Sequence, residues 1–495
     1  MKNDIEKSTP PCAPTTTLTS ALCFLSRPHY GSLWRPSSTG LHRLLIPIVT
    51  VLLSALPLRA ATIAATGCSQ AAVQAAIDSA ADGDTVRIPA CSATTWSAAV
   101  TMNNKAVDVE GAGIGATHIA MNNGTFNITG TSAGNFVGQL GGITFSGTAS
   151  NNGWLTIDSA FRFRIHHLAI GDISTRAIYI VGSSGLIDHV AFTTANGFNA
   201  IQVLGGRFTP TGRWSQAMNF GSVDQVYIED NTFMATNCVT GLGIFDGFNG
   251  SRIVFRHNTV TNWQGYVHGY DSSSESALQL EIYDNMFDMA KTNCAIDRML
   301  FIRGGTGYLY NNTMHLTDAY NQYSPAFASL YYYRDSQAQQ GSICNGSASV
   351  DGNQAGQNGY LCFQQPGSGA PGLHTSVPIY EYNNVGTGNM PANLDLRNES
   401  SHVVQGRDYF KDTAKPGYTA YPYPHPLQGG APSSSPCDLN ADGSTNVVDV
   451  QSAVNQVLGM AACTNADLEP NGQCNTIDVQ RIVNASLGNA CVVGP

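Results

Sequence analysis

One asparagine recurs at a fixed interval through the middle of this chain and limits what the chain can fold into. It stands at Asn231, Asn258, Asn285 and Asn312, each time within an octapeptide such as LEIYDNMF (280–287). The interval between consecutive copies is constant. Within each octapeptide apolar and polar side chains alternate, and this period of two indicates a β-strand.

A strand with one apolar face cannot bury that face alone, but identical strands stacked about 4.8 Å apart, one per coil, can. A coil as long as the interval from Asn231 to Asn258 accommodates three short strands and three turns. The repeated asparagine then falls at one turn of successive coils, where its amide can bond the backbone and its neighbours in the stack. The sequence therefore predicts an all-β parallel solenoid.

Weaker copies of the octapeptide extend the array in both directions. They cover residues 138–145, 163–170, 185–192 and 377–385. His166, His167 and His189 fall at the asparagine position of these copies and are expected to be turn residues. Longer intervals predict loops that leave the stack at 193–221 and at about 335–375, and long loops on a rigid scaffold commonly carry function.

The segment 1–60 is predicted to be a leader. The apolar run LLIPIVTVLLSAL (44–56) follows Arg43 and precedes small residues, which is typical of a secretory signal peptide; the alternative is a buried core helix. At this length the run is short for a membrane span, so no transmembrane segment is expected after its removal. The chain carries a formal net charge of −10, which argues against nucleic acid as a partner. We therefore expect a secreted or cell-surface protein.

The cysteines support export. Outside the leader they fall into a group of six and a group of four, and even numbers in an exported protein favour intradomain disulfides. Proximity makes the pairs Cys68–Cys91 and Cys344–Cys362 plausible, and the remaining connectivity stays open.

The segment SQAAVQAAIDSAADGDTVRIPA (69–90) predicts a cap for the solenoid. Its helix has Val73, Ala76 and Ile77 on one face, and a first strand follows over residues 85–88. Together with VDVEGAGIGAT (107–117) and the asparagine turns, this arrangement resembles the right-handed parallel β-helix, or pectate-lyase-like, superfamily. The resemblance covers about 61–425 and implies a right-handed solenoid with an N-terminal capping helix. The R-x-P-x-x-R and G-H-G motifs of its enzymes are missing from the sequence, so their catalytic residues cannot be transferred.

A different pattern follows a Pro-, Gly- and Ser-rich linker at 426–436. Residues 437–491 contain two acidic loops with the oxygen-ligand spacing and central glycine of a calcium loop, each followed by a helical pattern at 447–459 and 476–488. The predicted ligands are Asp438, Asn440, Asp442, Ser444 and Asp449 in loop one, and Asp467, Glu469, Asn471, Gln473 and Asp478 in loop two.

Two tandem loop–helix units at the C-terminus resemble a type I dockerin. The final acidic ligand is Asp in both loops, which fits that family. The resemblance implies a small all-α domain with two Ca²⁺ ions that docks onto a cohesin module of a scaffold protein. Surface attachment without a cohesin is the alternative.

Counting back from the asparagine turns predicts one candidate site on the solenoid. The segments 245–247, 268–271, 301–305 and 331–335 are expected to lie near one another on successive coils. The predicted catalytic residues are His268, Asp271, Arg303 and Arg334, and the predicted substrate-binding residues are Asp246, Tyr266, Tyr270, Tyr331, Tyr332 and Tyr333. The cleft beside them is a further expected place for Ca²⁺.

These residue types suit two reactions on a polysaccharide. β-Elimination on a uronate needs a cation to offset the carboxylate, for which Arg303 or Arg334 is suited, and a base, for which His268 or an arginine is suited. Glycoside hydrolysis needs two carboxylates, and Asp246 with Asp271 is the available pair. The structural alternative is that the arginines are solvated strand ends and the tyrosines pack the solenoid.

The sequence thus predicts an exported solenoid that acts on polysaccharide and carries a calcium-binding tail. Of the two reactions, it favours that of a lyase over that of a hydrolase. A non-catalytic glycan-binding or adhesion protein is the main alternative, and a purely structural solenoid is the third.

Overall fold

The computed structural model describes residues 60–494 with short gaps. The gaps are 131–136, 149–152, 172–175, 196, 198, 207–212, 271–273, 291–295, 297, 319–324, 336–340, 353–360, 373, 430–434, 440–444, 446, 470, 488 and 490. The predicted leader therefore lies outside the described residues. Within the described part, no helix is both long and apolar enough to span a membrane.

Parallel strands dominate the fold, with a capping helix α1 (Gln70–Ser79) before them and helices α2 (Val447–Val457) and α3 (Thr476–Ser486) after them. In chain order the strands are β1 (Thr62–Ala64), β2 (Thr85–Arg87), β3 (Cys91–Trp96), β4 (Ala99–Asn103), β5 (Asp108–Glu110), β6 (Thr117–Asn122), β7 (Thr125–Thr129), β8 (Gly138–Thr148), β9 (Leu155–Asp158), β10 (Phe161–Ile170), β11 (Arg176–Val181), β12 (Ser184–Asp188), β13 (Ala191–Thr194), β14 (Asn199–Leu204), β15 (Val226–Glu229), β16 (Thr232–Phe248), β17 (Arg252–Arg256), β18 (Thr259–Val267), β19 (Gln279–Tyr283), β20 (Met286–Met289), β21 (Arg298–Ile302), β22 (Thr306–Tyr310), β23 (Thr313–Leu316), β24 (Ala326–Leu330), β25 (Ser368–Gly369), β26 (Thr375–Ser376), β27 (Ile379–Tyr382), β28 (Val385–Gly388), β29 (Leu396–Asn398) and β30 (Tyr409–Phe410).

The parallel strands stack in three columns, one strand of each per coil. The first column runs β1, β2, β5, β8, β10, β12, β15, β17, β19, β22, β27, β30; the second runs β3, β6, β8, β10, β13, β16, β18, β20, β23, β28; the third runs β4, β7, β9, β11, β14, β16, β18, β21, β24, β29. Strands that occur in two columns continue around a corner. The predicted parallel solenoid with three strands per coil is confirmed. Its right-handedness stays a prediction, which the general preference of parallel crossovers supports.

The repeat stacks residues at equivalent positions of successive coils on one another. Val226 pairs with Ile253, and Ile253 pairs with Leu280, so each partner stands one repeat further along the chain. Inward side chains form continuous apolar stacks in the same way: the rings of Phe192 and Phe233 are parallel with centroids 4.7 Å apart. Every coil thus buries its apolar face on the next, as solenoid stability requires.

The repeated asparagines form a buried ladder along one turn. Oδ1 of Asn258 accepts the backbone N–H of Asn231 at 3.0 Å and its Nδ2 at 3.1 Å, and the pattern continues through Asn285 and Asn312 to Asn384. The residue before each of these asparagines has a positive φ of 54–57°, so the turn aims the amide along the stack. The predicted role of the asparagine is confirmed.

We expect Asn258→Ala to lower the free energy of unfolding by about 3 kcal/mol, because it leaves several buried backbone groups without a partner. The amide of Asn258 bonds the carbonyls of Ile228 and Arg256 besides the neighbouring asparagines. Thermal unfolding measures the effect. The control is Asn127→Ala, a half-buried asparagine on the outward face of β7; equal losses in the two variants would contradict the ladder's role.

The N-terminal cap also agrees with the sequence. Helix α1 buries Val73, Ala76 and Ile77, and the side chain of Ser69 caps its first turn. The predicted pairs Cys68–Cys91 and Cys344–Cys362 are both disulfides.

The first predicted loop is wrong in its boundary. Residues 191–194 form β13 and residues 199–204 form β14, so the excursion that leaves the stack lies between β14 and β15. The repeat is irregular here and its turn carries no asparagine, so the sequence pattern does not reveal these strands. Their apolar residues nevertheless stack as in the other coils. His167 and His189 have the positive φ of a turn residue as expected, whereas His166, which precedes His167 on β10, is not among the positive-φ residues of the described chain.

A C-terminal strap, residues 413–429, covers the outward face of the first column. Nη1 and Nη2 of Arg256 donate to the carbonyls of Tyr421 and Pro422 at 2.6 and 2.7 Å. Glu229, which is fully buried, pairs with Arg256 and accepts the backbone N–H of His425 at 2.7 Å. The strap therefore continues past the predicted start of the linker at 426, and it converts outward charged residues into buried ones.

The strap makes stability depend on pH. Burial, with the nearby Arg256 cation, lowers the pKa of His425 to about 3. The unfolded chain takes up this proton near pH 6.5 and the folded chain does not, so stability is full above that pH and falls by about 1.4 kcal/mol per unit below it. We expect His425→Gln to flatten the melting temperature between pH 6.5 and 4. His315→Gln, on another face, is the control; a slope unchanged by His425→Gln would contradict this account.

Helices α2 and α3 contact each other in the C-terminal tail and bury Leu439, Ala453, Leu468 and Ile482. The disulfides Cys437–Cys491 and Cys463–Cys474 brace this small core. Both helices begin where the sequence predicts. That this tail is a dockerin-like domain stays a prediction.

Candidate functional site

The outward side chains of the third column form a stripe over several coils. Gln202, Asp246, Tyr266, Phe301 and Ser329 are register partners on β14, β16, β18, β21 and β24. Successive strands are about 4.8 Å apart. The stripe therefore runs along the solenoid for a length comparable to a few sugar rings.

A histidine–aspartate pair lies within the stripe. Nδ1 of His268 lies 2.9 Å from Oδ1 of Asp246, and Nε2 of Gln202 lies 3.5 Å from the other oxygen of this carboxylate. The His268 ring packs on Phe248 at 3.8 Å between centroids. Asp246 is 5 % exposed, whereas the His268 side chain is 22 % exposed. A proton assigned to Nδ1 leaves Nε2 as an unprotonated base.

Arg303 lies on the next coil among aromatic rings. Its guanidinium carbon lies 5.3 Å from the ring centroid of Tyr333, 5.8 Å from that of Tyr266 and 6.0 Å from that of Phe301. Its Nε donates to the carbonyl of Val267. Cation–π contacts of this kind help to hold a guanidinium in place.

Gly269 allows His268 and Arg303 to approach each other. A Cβ at Gly269 would lie 2.4 Å from the carbonyl oxygen of Arg303 and 2.9 Å from its Cβ. The glycine thus seats the segment that follows His268 directly against the coil of Arg303. A larger residue here would push His268 and Arg303 apart.

Burial raises the pKa of Tyr266 above its ordinary value, although the neighbouring Arg303 acts in the opposite direction. Its hydroxyl is therefore protonated at neutral pH and can donate a hydrogen bond. Tyr331 stacks on Phe301 with centroids 5.6 Å apart and meets Tyr333 edge-on at 4.7 Å. The stripe thus offers flat apolar rings beside a polar centre.

The stripe is richer in positive charge than the acidic chain that carries it. Arg298 lies over Phe301 at 4.7 Å, and Arg397 is the register partner of Ser329. Glu399 contacts both arginines, at 3.9 and 2.8 Å. Since net charge is −10 for the whole chain, this local excess of arginine suits an anionic ligand.

Some predicted site residues lie elsewhere. Arg334 is fully buried and makes a two-pronged ion pair with Asp351 at 2.8 Å, so no guanidinium faces solvent at this position. Tyr332 is 1 % exposed and donates to the carbonyl of Phe363. Tyr270 packs on Phe363 beside Arg334. These three residues hold the segments 341–352 and 361–363 to the stack. Asp271 lies outside the described residues.

Phe248 and Arg298 belong to the stripe although the sequence did not predict them there, and Phe301 lies in the predicted segment 301–305 without having been singled out. The signal that could have found them is register: Phe301 stands one coil from Tyr266 and Ser329 one coil further.

A cavity of about 180 Å³ lies at a different place, between the excursion after β14 and the first column. It is lined by Ser183, Arg213, Asp224 and Arg252, among others, and by none of the predicted site residues. Arg252 donates to the carbonyls of Gln216 and Ala217. The cavity is therefore braced by backbone contacts, and we assign it no chemistry.

The second acidic loop of the tail keeps the turn of a calcium loop. The Asp467 carboxylate accepts the backbone N–H groups of Asn471 and Gly472 at 3.1 and 2.7 Å. Glu469, however, pairs with Arg481 at 3.1 Å, so a cation already competes for this predicted ligand.

The first turn of helix α3 contains another predicted ligand of loop two, Asp478. The Asp478 carboxylate accepts the backbone N–H groups of Leu468 and Asn475. In loop one, Asn440, Asp442 and Ser444 lie outside the described residues, while Asp438 is half-buried and Asp449 is buried. The structure thus keeps the acidic turn of loop two and leaves calcium binding as a prediction.

Comparison with known proteins gives structural neighbours alone. No family model matches the chain, and no curated protein matches it. One neighbour is a family 6 polysaccharide lyase, an alginate lyase, with 11% identity and a TM-score of 0.34 over 54% of this chain and 40% of that one. A Paenibacillus alginate lyase has 15% identity and a TM-score of 0.29 over 51% of this chain and 94% of that one.

A third neighbour is the catalytic domain of a family 87 α-1,3-glucanase in complex with nigerose, with 10% identity and a TM-score of 0.34 over 74% of this chain and 69% of that one. The chain therefore spans less than half the length of the first of these neighbours. At such identities and scores we take neither reaction nor substrate from them.

Proposed function

We propose that this protein is an exported polysaccharide lyase that binds an anionic, uronate-containing chain along the stripe. The observation that carries the proposal is the His268–Asp246 pair set beside Arg303 on adjacent coils. A base next to a cation, flanked by aromatic rings, is what β-elimination on a uronate needs.

Each group has a distinct role in the proposed reaction. Arg303 binds the uronate carboxylate and makes the adjacent C–H more acidic. Nε2 of His268 takes that proton while Asp246 holds the ring through Nδ1. The bond from the neighbouring carbon to the glycosidic oxygen then breaks, a carbon–carbon double bond forms, and the leaving oxygen takes a proton from the Tyr266 hydroxyl or from water.

Hydrolysis is the runner-up chemistry, and the described stripe supports it less well. It needs a second carboxylate at a suitable separation from Asp246, and Asp246 is already bonded to His268. The alternative, a glycan-binding protein without catalysis, is supported by Tyr331, Tyr333 and Phe301, because aromatic faces bind sugar rings without any reaction.

Incubation with alginate, pectate and a glycosaminoglycan tests the proposal through the ultraviolet absorbance of the unsaturated product. We expect absorbance to rise on at least one polymer and Arg303→Gln to slow the rise about 10²–10³-fold, the loss typical of a charge-stabilising group. A rise that Arg303→Gln leaves unchanged would move the reaction away from the stripe. Polymer binding without any product would favour the glycan-binding alternative.

We further propose that the tail binds Ca²⁺ through both acidic loops and attaches the enzyme to a cohesin-type scaffold or a cell surface. Loop one supplies Asp438, Asn440, Asp442, Ser444 and Asp449. Ca²⁺ prefers six to eight oxygen ligands, and the five residues of each loop would supply most of them, with water completing the shell. Loop two is the weaker site in this proposal, since Arg481 competes for Glu469.

Calorimetric titration of the calcium-free chain is expected to give two unequal sites. Asp442→Ala should remove the tighter site and Asp467→Ala the weaker one. Calcium at 100 times its dissociation constant should stabilise the tail by about 2.7 kcal/mol, which EDTA reverses. Two equal sites would contradict the role of Arg481, and no calcium-dependent change would contradict the calcium proposal itself.

A further inference from the structure

Three metal-ligating side chains converge on the first column, on a face away from the stripe. Asp108 and Glu110 project from β5, and His166 projects from β10, two coils further on. Their ligand atoms all lie within 4.8 Å of one another. The other such group among the described residues contains the two cysteines of a disulfide, which are not free to bind an ion.

A glycine opens the space between these side chains. Gly141 of β8 is the register partner of both Glu110 and His166 and lies between them. A Cβ at Gly141 would lie 2.3 Å from Cε1 of His166 and 2.7 Å from Oε1 of Glu110. An ordinary residue would fill the gap, so the histidine reaches the carboxylate because the intervening coil has no side chain.

Two polar atoms that face this space have no hydrogen bond of good geometry within the protein. Nε2 of His166 lies 2.9 Å from Oε1 of Glu110 but has no hydrogen bond in the structure, although His166 is only 8 % exposed. Oδ1 of Asp108 is also buried without a hydrogen-bond partner. Buried polar atoms normally have a partner, and an ion is one of the explanations when they do not.

The surroundings hold the ligands in place. Nδ1 of His166 lies 3.1 Å from Nδ1 of His167, so the ring is fixed on its far side and presents Nε2 to the carboxylates. Arg164, on the same strand as His166, is engaged by Asp188 through two bonds of 2.8 and 2.9 Å. Arg87, the register partner of Glu110, is the cation that acts on both carboxylates. Outer contacts that orient a ligating histidine are typical of metal sites.

We propose that Asp108, Glu110 and His166 bind one divalent transition cation of the Zn²⁺ type. An imidazole nitrogen with two carboxylate oxygens suits Zn²⁺, which commonly keeps a fourth position for water. Ca²⁺ prefers oxygen ligands alone, so this site differs in selectivity from the tail loops. The ion ties β5 to β10 across the intervening coil and so strengthens the N-terminal part of the solenoid.

The test is titration of tag-free, EDTA-treated full-length protein with Zn²⁺ in the presence of excess Ca²⁺, followed by calorimetry. We expect one Zn²⁺ per chain and a loss of affinity of about 10-fold or more in both His166→Asn and Glu110→Gln. Co²⁺ serves as a second probe, because its visible absorption reports tetrahedral coordination and should vanish in the same variants. His189→Asn is the matched control, since His189 stacks in the same histidine group but bonds Asp188.

Several outcomes overturn the proposal. No Zn²⁺ binding, or binding that both variants leave unchanged, would do so, as would an equal loss in His189→Asn. If His166→Asn fails to fold, Glu110→Gln decides, because it keeps the shape of the side chain and removes the charge.

Discussion

His268→Gln is expected to lower kcat/KM on the cleaved polymer by about 10²–10⁴-fold, the range typical of a lost general base. The substitution keeps a hydrogen-bonding side chain but removes the basic Nε2. Asp246→Asn should reduce kcat/KM by about 10²-fold, because it no longer favours the tautomer that leaves Nε2 unprotonated. KM should change little in either variant, since the stacking rings of Tyr331 and Tyr333 are retained.

His315→Gln is the matched control for these variants, because His315 lies on β23 in the second column. Its kcat/KM should equal that of the wild type. The pH profile adds a readout that a purely structural role would not move: the acidic limb of the wild-type profile, which reports loss of a proton by the general base, should be absent in His268→Gln. Full activity in His268→Gln would exclude this residue as the base.

Arg256→Met should produce the largest loss of stability, about 3–5 kcal/mol, because it leaves the Glu229 carboxylate buried without its cation. The pair is fully buried. Arg256 also donates to the carbonyls of Tyr421 and Pro422, so its loss weakens the hold on the strap. Thermal unfolding and the rate of limited proteolysis within residues 413–429 measure the two effects.

A surface pair provides the comparison. Lys411 and Asp395 contact each other at 2.8 Å and are both partly exposed, so Lys411→Met should cost less than about 1 kcal/mol. The double variant Arg256→Met with Glu229→Gln should lose less than the sum of the single variants, because neither partner is then left charged and alone. A loss in Arg256→Met no larger than in Lys411→Met would contradict the role of the strap.

The sequence predicts this fold well because one physical requirement repeats. Each coil must bury the same face, so the spacing from Asn231 to Asn312 records both the pitch and the turn. The asparagine ladder and the capping helix follow from local chemistry. The same reasoning extends to the stripe: Asp246, His268 and Arg303 are brought together as the count from the asparagine turns predicts.

Prediction fails where contacts join residues far apart in sequence. Nothing near Arg334 signals that Asp351 buries it, and nothing near Arg256 signals that a distant C-terminal strap covers it. The Asp108, Glu110 and His166 group depends on a glycine in a third segment. Such sites are defined by which coil follows which, and irregular loops hide that order in the sequence.

The masses of the oligosaccharides released from a uronate polymer test the central claim most directly. Elimination yields products with a new unsaturated end, each lighter by one water than the corresponding hydrolysis product. We predict unsaturated products with the wild type and their loss in both His268→Gln and Arg303→Gln. Saturated products, or unsaturated products that persist in both variants, would contradict a lyase site on the stripe.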